Sequence, residues 1–261
     1  MSDAVSGKGF IAMIILKRPE EIEKIKASNV IVSEILKELK EKIRPGITTL
    51  ELNRHSEELA KKKGAKPAFK GYRGYPFALC TSVNSEVVHG MPSSRVLKAG
   101  DIVSLDFGAH YKGYYGDAAL TAPVGHVTEE AMRLLRTTEM SLYDAISQAR
   151  VGNRLGDISA AVQRRAEAAG FSVVRDFVGH GIGKDLHEEP QIPNYGTSGR
   201  GVELKDGMVF AIEPMVNAGT YKVRLLDDGW TVVTEDGRLS AHFEHTVAIT
   251  REGPVILSAG N

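Results

Sequence analysis

Four carboxylates sit where charge is costly. Asp106 follows Ile102-Val103-Ser104-Leu105 and precedes Phe107, Asp117 leads into Ala118-Ala119-Leu120, Glu213 closes Met208-Val209-Phe210-Ala211-Ile212, and Glu244 lies between Phe243 and His245-Thr246-Val247. Runs of this kind become buried strands, where an unpaired ionised carboxylate is strongly destabilising. The same segments carry no arginine to pair with the acids. One such acid reads as half of a structural ion pair; four read as a site for divalent cations. His180, in Gly179-His180-Gly181-Ile182-Gly183, is a weak signal alone, but beside the acids it is the natural nitrogen donor, and the glycines allow close approach. Four oxygens and one imidazole form a hard site that suits manganese, iron or cobalt at least as well as zinc. With two carboxylates bridging, two ions would sit ~3.5–4 Å apart and drive the pKa of a shared water from about 15.7 towards ~7.

The elements that must position these groups follow from local pattern. Asp101–Tyr111 alternates as a strand, Lys112-Gly113 suits a two-residue turn, and Tyr114–Thr121 returns. That register sets Tyr111 opposite Tyr114 and Gly108 opposite Asp117, so Asp106 becomes a diagonal neighbour of Asp117, about 7–8 Å away or less on one sheet face. The bare Gly108 would leave room for an ion. Pro19 opens an amphipathic helix that ends before Pro45-Gly46, and Thr48 with Glu51 forms a capping box for a second helix that stops at Gly64. A third helix starts at Thr128, and Asp157 is expected to cap a fourth that stops at Gly170.

These pieces recur. Arg44-x-Gly46 with its terminal Gly64 matches Arg150-x-Gly152 with Gly170, and Leu97-Lys98-Ala99-Gly100 leading to Asp106 matches Leu204-Lys205-Asp206-Gly207 leading to Glu213. Each half is helix, helix, strands, with an acid at the same point. The expected fold is α+β, duplicated about a pseudo-twofold axis, with residues 14–261 as one catalytic unit after an arm or leader at 1–13.

Composition narrows the function classes. Lys+Arg and Asp+Glu balance at 33 each, which leaves no basic field for nucleic acid or an anionic membrane. No stretch approaches the ~20 apolar residues of a spanning helix. A single cysteine, Cys80, excludes an intramolecular disulfide framework and a Cys-rich zinc module, and points to a reducing, cytoplasmic setting. Cys80 has no base partner in the sequence and reads as packing.

His89-Gly90, Asp106, Gly116-Asp117, Gly179-His180-Gly181-x-Gly183, His187-Glu188-Glu189-Pro190, Ile212-Glu213-Pro214 and Phe243-Glu244-His245-Thr246 occur in one order over residues 14–254. Together they resemble the type I bacterial methionine aminopeptidases. The resemblance implies the pita-bread fold, with a curved antiparallel sheet between duplicated halves. It also implies removal of the initiator methionine from nascent chains whose second residue is small. It assigns Asp106, Asp117, His180, Glu213 and Glu244 to two divalent ions, either cobalt, manganese, iron, nickel or zinc. Glu213 would also take a proton from the water. His187 would stabilise the tetrahedral intermediate, and His89 would contact the peptide beyond the cleaved bond. The methionine pocket would comprise Phe69, Tyr72, Tyr75, Cys80, Leu186 and Trp230, together with His89 and His187. Phe69 stands where the family usually has a small thiol, and Leu186 where it usually has an aromatic. A monovalent cation would sit at Asn84–Glu86 with Ser240. His55, His110, His126, His242 and His245 are expected at the surface or behind the ligands. The partners implied are nascent N-termini and the ribosome, for a monomeric enzyme. A Xaa-Pro aminopeptidase of the same fold and a metal-free binding protein are the alternatives. The first usually carries an extra N-terminal domain, and the second does not need all five ligands.

Overall fold

A computed structural model describes residues 13–259; the expected arm falls outside the described residues except for Met13. Four helices, α1 (Pro19–Lys42), α2 (Thr49–Lys62), α3 (Glu129–Gln148) and α4 (Leu155–Ala168), cover one face of a curved antiparallel sheet. Pro19 occupies the first turn of α1, and at α2 the Glu51 amide donates to the Thr48 hydroxyl while Glu51 accepts from the Thr48 amide. Thr128 caps α3. The start of α4 corrects the sequence reading: Arg154 is the capping residue, and Asp157 lies inside the first turn, accepting the Arg154 amide at 2.7 Å. The carboxylate reaches back from the third helical position, as a capping-box glutamate does.

In chain order the main sheet comprises β1 (Lys66–Pro67), β2 (Cys80–Val83), β3 (Ile102–Tyr111), β4 (Tyr114–Pro123), β5 (Gly179–Gly181), β6 (Glu188–Ile192), β7 (Val209–Ile212), β8 (Glu244–Thr250) and β9 (Gly253–Ile256). Their spatial order is β1-β3-β4-β8-β7-β5-β6, with β2 on β3 and β9 on β8. The β3–β4 hairpin has the register read from sequence, with Tyr111 opposite Tyr114 and Gly108 opposite Asp117. Lys112 and Gly113 both have positive φ, 50° and 84°, as a tight turn matched to strand twist requires.

The duplication is visible in backbone hydrogen bonds. Gly46 donates to Leu97 and Gly152 to Leu204; Gly100 donates to Val124 and Gly207 to Ile249. Isolated bridges repeat likewise, Thr48 with Val96 and Arg154 with Glu203. The hairpin β3–β4 therefore corresponds to the pair β7–β8, and the two meet where β4 joins β8.

Strand alternation divides the side chains between two faces. Val103, Leu105, Phe107 and Ala109 of β3 enter a core with Val32, Ile35, Leu39 and Leu52 of α1 and α2. In the other half Phe210, Ile212, Val247 and Ile249 pack with Leu134, Leu142, Ile158 and Val162 of α3 and α4. Residues one step out of phase, Asp106, Asp117, Glu244 and Glu213 among them, fall on the concave face. Among the described residues no helix is long and apolar enough to cross a membrane.

Candidate metal centre and substrate pocket

Across the seam the register aligns Asp106 with Ala119, and Ala119 with Glu244. Asp117 lies two residues before Ala119 on the same face, and His180 pairs with Ala211, two residues before Glu213. One pocket of about 140 Å³ is thus lined by Asp106, Asp117, His180, Glu213 and Glu244. Asp117, His180 and Glu244 are buried, and one ligand atom from each lies within 4.8 Å of the others, a group that could hold a metal ion. Asp106 and Glu213 are partly open to the pocket.

The electrostatics are those of an acid cluster lacking counter-charge. Burial raises the Asp106 and Glu213 carboxyls to about 7, and Glu213 adds to the effect on Asp106. Burial and then neighbouring acids push Asp117 and Glu244 well above the ordinary range. Asp106 Oδ1, Asp117 Oδ1 and Glu244 Oε1 are buried without a hydrogen-bond partner. His180 Nδ1 donates to the Gly181 carbonyl at 2.9 Å, which leaves the Nε2 lone pair free, 3.6 Å from Glu213 Oε1. Glycine at 181 is required there, because a Cβ would strike the Glu189 backbone.

Apolar residues close the rest of the pocket. Phe69, Tyr75, Cys80 and Leu186 are buried, with Tyr72 and Trp230 half-buried beside them. Tyr75 meets Trp230 edge-on at 5.1 Å, and its hydroxyl lies 3.1 Å from the Leu79 carbonyl. Burial pushes the Cys80 thiol upward, which keeps it protonated and suited to packing. Gly108 does not leave an empty space for an ion. A Cβ there would lie 2.8 Å from Phe69 Cε1 and 2.9 Å from Ala68 Cβ, so the glycine admits the Phe69 ring into the pocket wall.

Two histidines stand at the mouth. His187 Nδ1 is 2.9 Å from the Tyr72 hydroxyl, its ring lies 4.2 Å from that of His180, and burial, then His180 and Arg73, lower its pKa to about 3. His89 holds a left-handed backbone (φ 58°), packs edge-on against Phe177 at 5.6 Å, and is lowered to about 4 by burial. A bulky residue in that conformation is strained, a feature that gathers at functional sites. The structure also brings Asn84 and Ser240 together: the Ser240 amide donates to the Asn84 carbonyl at 2.8 Å.

The sequence reading left His242 at the surface or behind the ligands, and it missed Arg73. His242 is buried, its Nε2 has no partner, and it lies 3.6 Å from Glu213 Oε2. Only its two-residue spacing from Glu244 on the concave face hinted at this. Arg73 borders the pocket and lies over the Tyr72 ring at 5.3 Å, with no sequence signal for it. His245 faces the helices instead, 2.8 Å from Ser258.

A buried cluster of acids and imidazole beneath a mostly apolar pocket is the constitution of a metal-dependent hydrolase site. Comparison with known proteins agrees: the profile of metallopeptidase family M24 matches residues 23–251. A methionine aminopeptidase of Clostridium perfringens is 57% identical over 94% of this chain and 99% of its own length. The crystal structure of a methionine aminopeptidase from Thermotoga maritima superposes with a TM-score of 0.93 at 52% identity, covering 94% of this chain and 99% of that one. The prolidase from Pyrococcus furiosus has a TM-score of 0.77 at 26% identity, and the match covers 95% of this chain but 66% of the prolidase. The chain belongs to metallopeptidase family M24 and, within it, to the methionine aminopeptidases.

Proposed function

We propose that this enzyme removes N-terminal methionine from peptides and nascent chains whose second residue is small, with Asp106, Asp117, His180, Glu213 and Glu244 holding two divalent ions. The observation that carries the reading is the set of unpartnered, buried carboxylate oxygens at the floor of a pocket whose upper walls are mostly apolar. Such oxygens fit hard cations, and the free His180 Nε2 supplies the one nitrogen donor. Bound ions would supply Lewis acidity for a water and for the scissile carbonyl.

The chain's own groups do the rest. The methionine side chain enters between Tyr75, Cys80 and Trp230, where aromatic faces favour a thioether, none of the three carries a charge to pair with a basic side chain, and Arg73 at the border repels one. Glu213, on the pocket wall, would accept a proton from the attacking water and return it to the leaving amine. His187 Nε2 faces inward once Nδ1 engages Tyr72, and donates to the developing oxyanion. His89 borders the leaving peptide and, with His187, crowds its first side chain.

Hydrolysis of Met-Ala, Lys-Ala, Met-Trp and Met-Pro peptides, with metal analysis of the same samples, tests this reading. Met-Ala should dominate in a metal-containing protein. Cleavage of Lys-Ala or Met-Trp at a comparable rate would refute the pocket, and preference for a proline second residue would favour the Xaa-Pro alternative.

A further inference from the structure

The segment before α1 reaches the loop that carries His187. Ile15 and Leu16 are exposed, yet Lys17 beside them is only 7% exposed. The Lys17 amide donates to the Gly207 carbonyl at 2.7 Å, and a Cβ on Gly207 would lie 2.7 Å from the Lys17 carbonyl oxygen. Lys17 Nζ donates to the Ile15 carbonyl at 2.9 Å and forms a close ion pair with the Glu188 carboxylate. The two side chains are 4% and 6% exposed. The second oxygen of Glu188 accepts the amides of Lys184 at 2.9 Å and Asp185 at 3.3 Å. One carboxylate therefore closes the loop 183–188 on itself and ties it to Lys17.

Gly183 makes this approach possible. A Cβ there would lie 2.6 Å from Glu188 Oε1 and 2.7 Å from Lys17 Cε. The Gly183 carbonyl accepts the Tyr115 amide at 2.8 Å, so the loop is pinned to the central hairpin as well. Between these anchors lie Leu186, in the pocket wall, and His187, at its mouth.

We propose that Lys17 is a positioning residue for peptide hydrolysis: its buried pair with Glu188 fixes the 183–188 loop and thereby the His187 ring. This rests on the role given to His187 above. Lys17 and Glu188 are both withdrawn from water, so the pair is not an ordinary surface bridge, which contributes little. Removing the ammonium leaves a buried carboxylate unpaired, and Glu188 then turns towards solvent, carrying the loop with it. A displacement of about 1 Å at a catalytic group can lower turnover by about 10²-fold. Arginine keeps the charge but offers a planar fork instead of a compact ammonium, so it should restore the pair incompletely.

The test is steady-state kinetics of the full-length, metal-loaded enzyme on a Met-Ala peptide, for Lys17→Met, Lys17→Arg, His187→Ala and the Lys17→Met/His187→Ala double variant. Lys17→Met should lower kcat by about 10- to 100-fold with little change in KM or metal content, and Lys17→Arg should recover most of it. In the His187→Ala background the Lys17 effect should vanish to within about twofold, because one residue acts through the other. Should Lys17→Met fail to fold, Glu188→Gln weakens the pair while keeping the loop amides bonded, and its loss must vanish in the same background. Multiplying losses would overturn the role of Lys17 and leave that of His187 intact. Wild-type kcat in His187→Ala would overturn both.

Discussion

Asp106→Asn in the metal-free protein separates the cost of the acid cluster from its use. The fold raises the Asp106 carboxyl from 3.8 to about 7, through burial first, opposed by His242 and reinforced by Glu213. A raised pKa means that the folded state holds its proton more tightly than the unfolded chain. The stability contributed is complete below about pH 4 and is lost as pH climbs to about 7. Three units correspond to a loss on the order of 4 kcal/mol, since each unit is about 1.4 kcal/mol. Asparagine has nearly the same shape and does not titrate, so it escapes this loss. It also relieves Asp117 and Glu244, whose carboxyls are pushed up partly by Asp106. His89, His187 and His245 have lowered pKa values and make stability rise with pH, but they are present in both proteins and cancel to first order. His242 does not cancel: burial lowers it while the Asp106 charge raises it, so losing that charge lowers it further and adds to the variant's gain with pH. Urea unfolding of chelator-treated protein, followed by circular dichroism at about pH 5 and about pH 8, measures the difference. The variant should gain on the wild type by a few kcal/mol between the two, while losing metal affinity and turnover. A difference independent of pH, or an equal destabilisation at both, would refute the reasoning.

Other outcomes follow from the same geometry. Glu244→Gln should lose bound metal and turnover together by elemental analysis and peptide assay; normal values of both would remove Glu244 from the proposed ligand set. His187→Ala should keep its metal and fold yet lose about 10²–10³ in kcat, the usual cost of one oxyanion donor; metal loss in parallel would make it a ligand instead. Gly108→Ala should push Phe69 into the pocket, raising KM for methionyl peptides and costing about 1–3 kcal/mol by overpacking. An unchanged KM would mean that Phe69 has somewhere else to go.

What the sequence reveals is what local rules control. The hairpin register follows from alternation and a two-residue turn, which places Asp106 and Asp117 on one face. The duplication is readable because its marks are glycines and prolines at helix ends, whose backbone requirements survive divergence elsewhere. Asp157 was misplaced for a local reason too: an acid in the first turn and an acid at the cap give similar signals, and only the backbone distinguishes them. Lys17, Arg73 and His242 are different. Lys17 meets Glu188 and His242 meets Glu213, partners remote in sequence; strand alternation put His242 on the face of Glu244 but named no partner, and Arg73 borders the pocket through a loop with no pattern of its own. The space beside Gly108 was misjudged likewise, because its occupant, Phe69, comes from a distant loop.

The seam between the halves shows why the acids belong where they are. β4 and β8 are paired only at Ala119–Glu244 and Ala118–His245. Asp106 and Asp117 approach this seam from the first half, and His180, Glu213 and Glu244 from the second. Without cations the arrangement sets like charges against each other across a two-residue pairing between the halves. With the proposed ions, that repulsion becomes attraction shared by both halves, and binding free energy adds to folding free energy. The duplicated architecture then has a physical reason to keep its acids in register: each half supplies ligands that the other needs, and neither can complete the site alone.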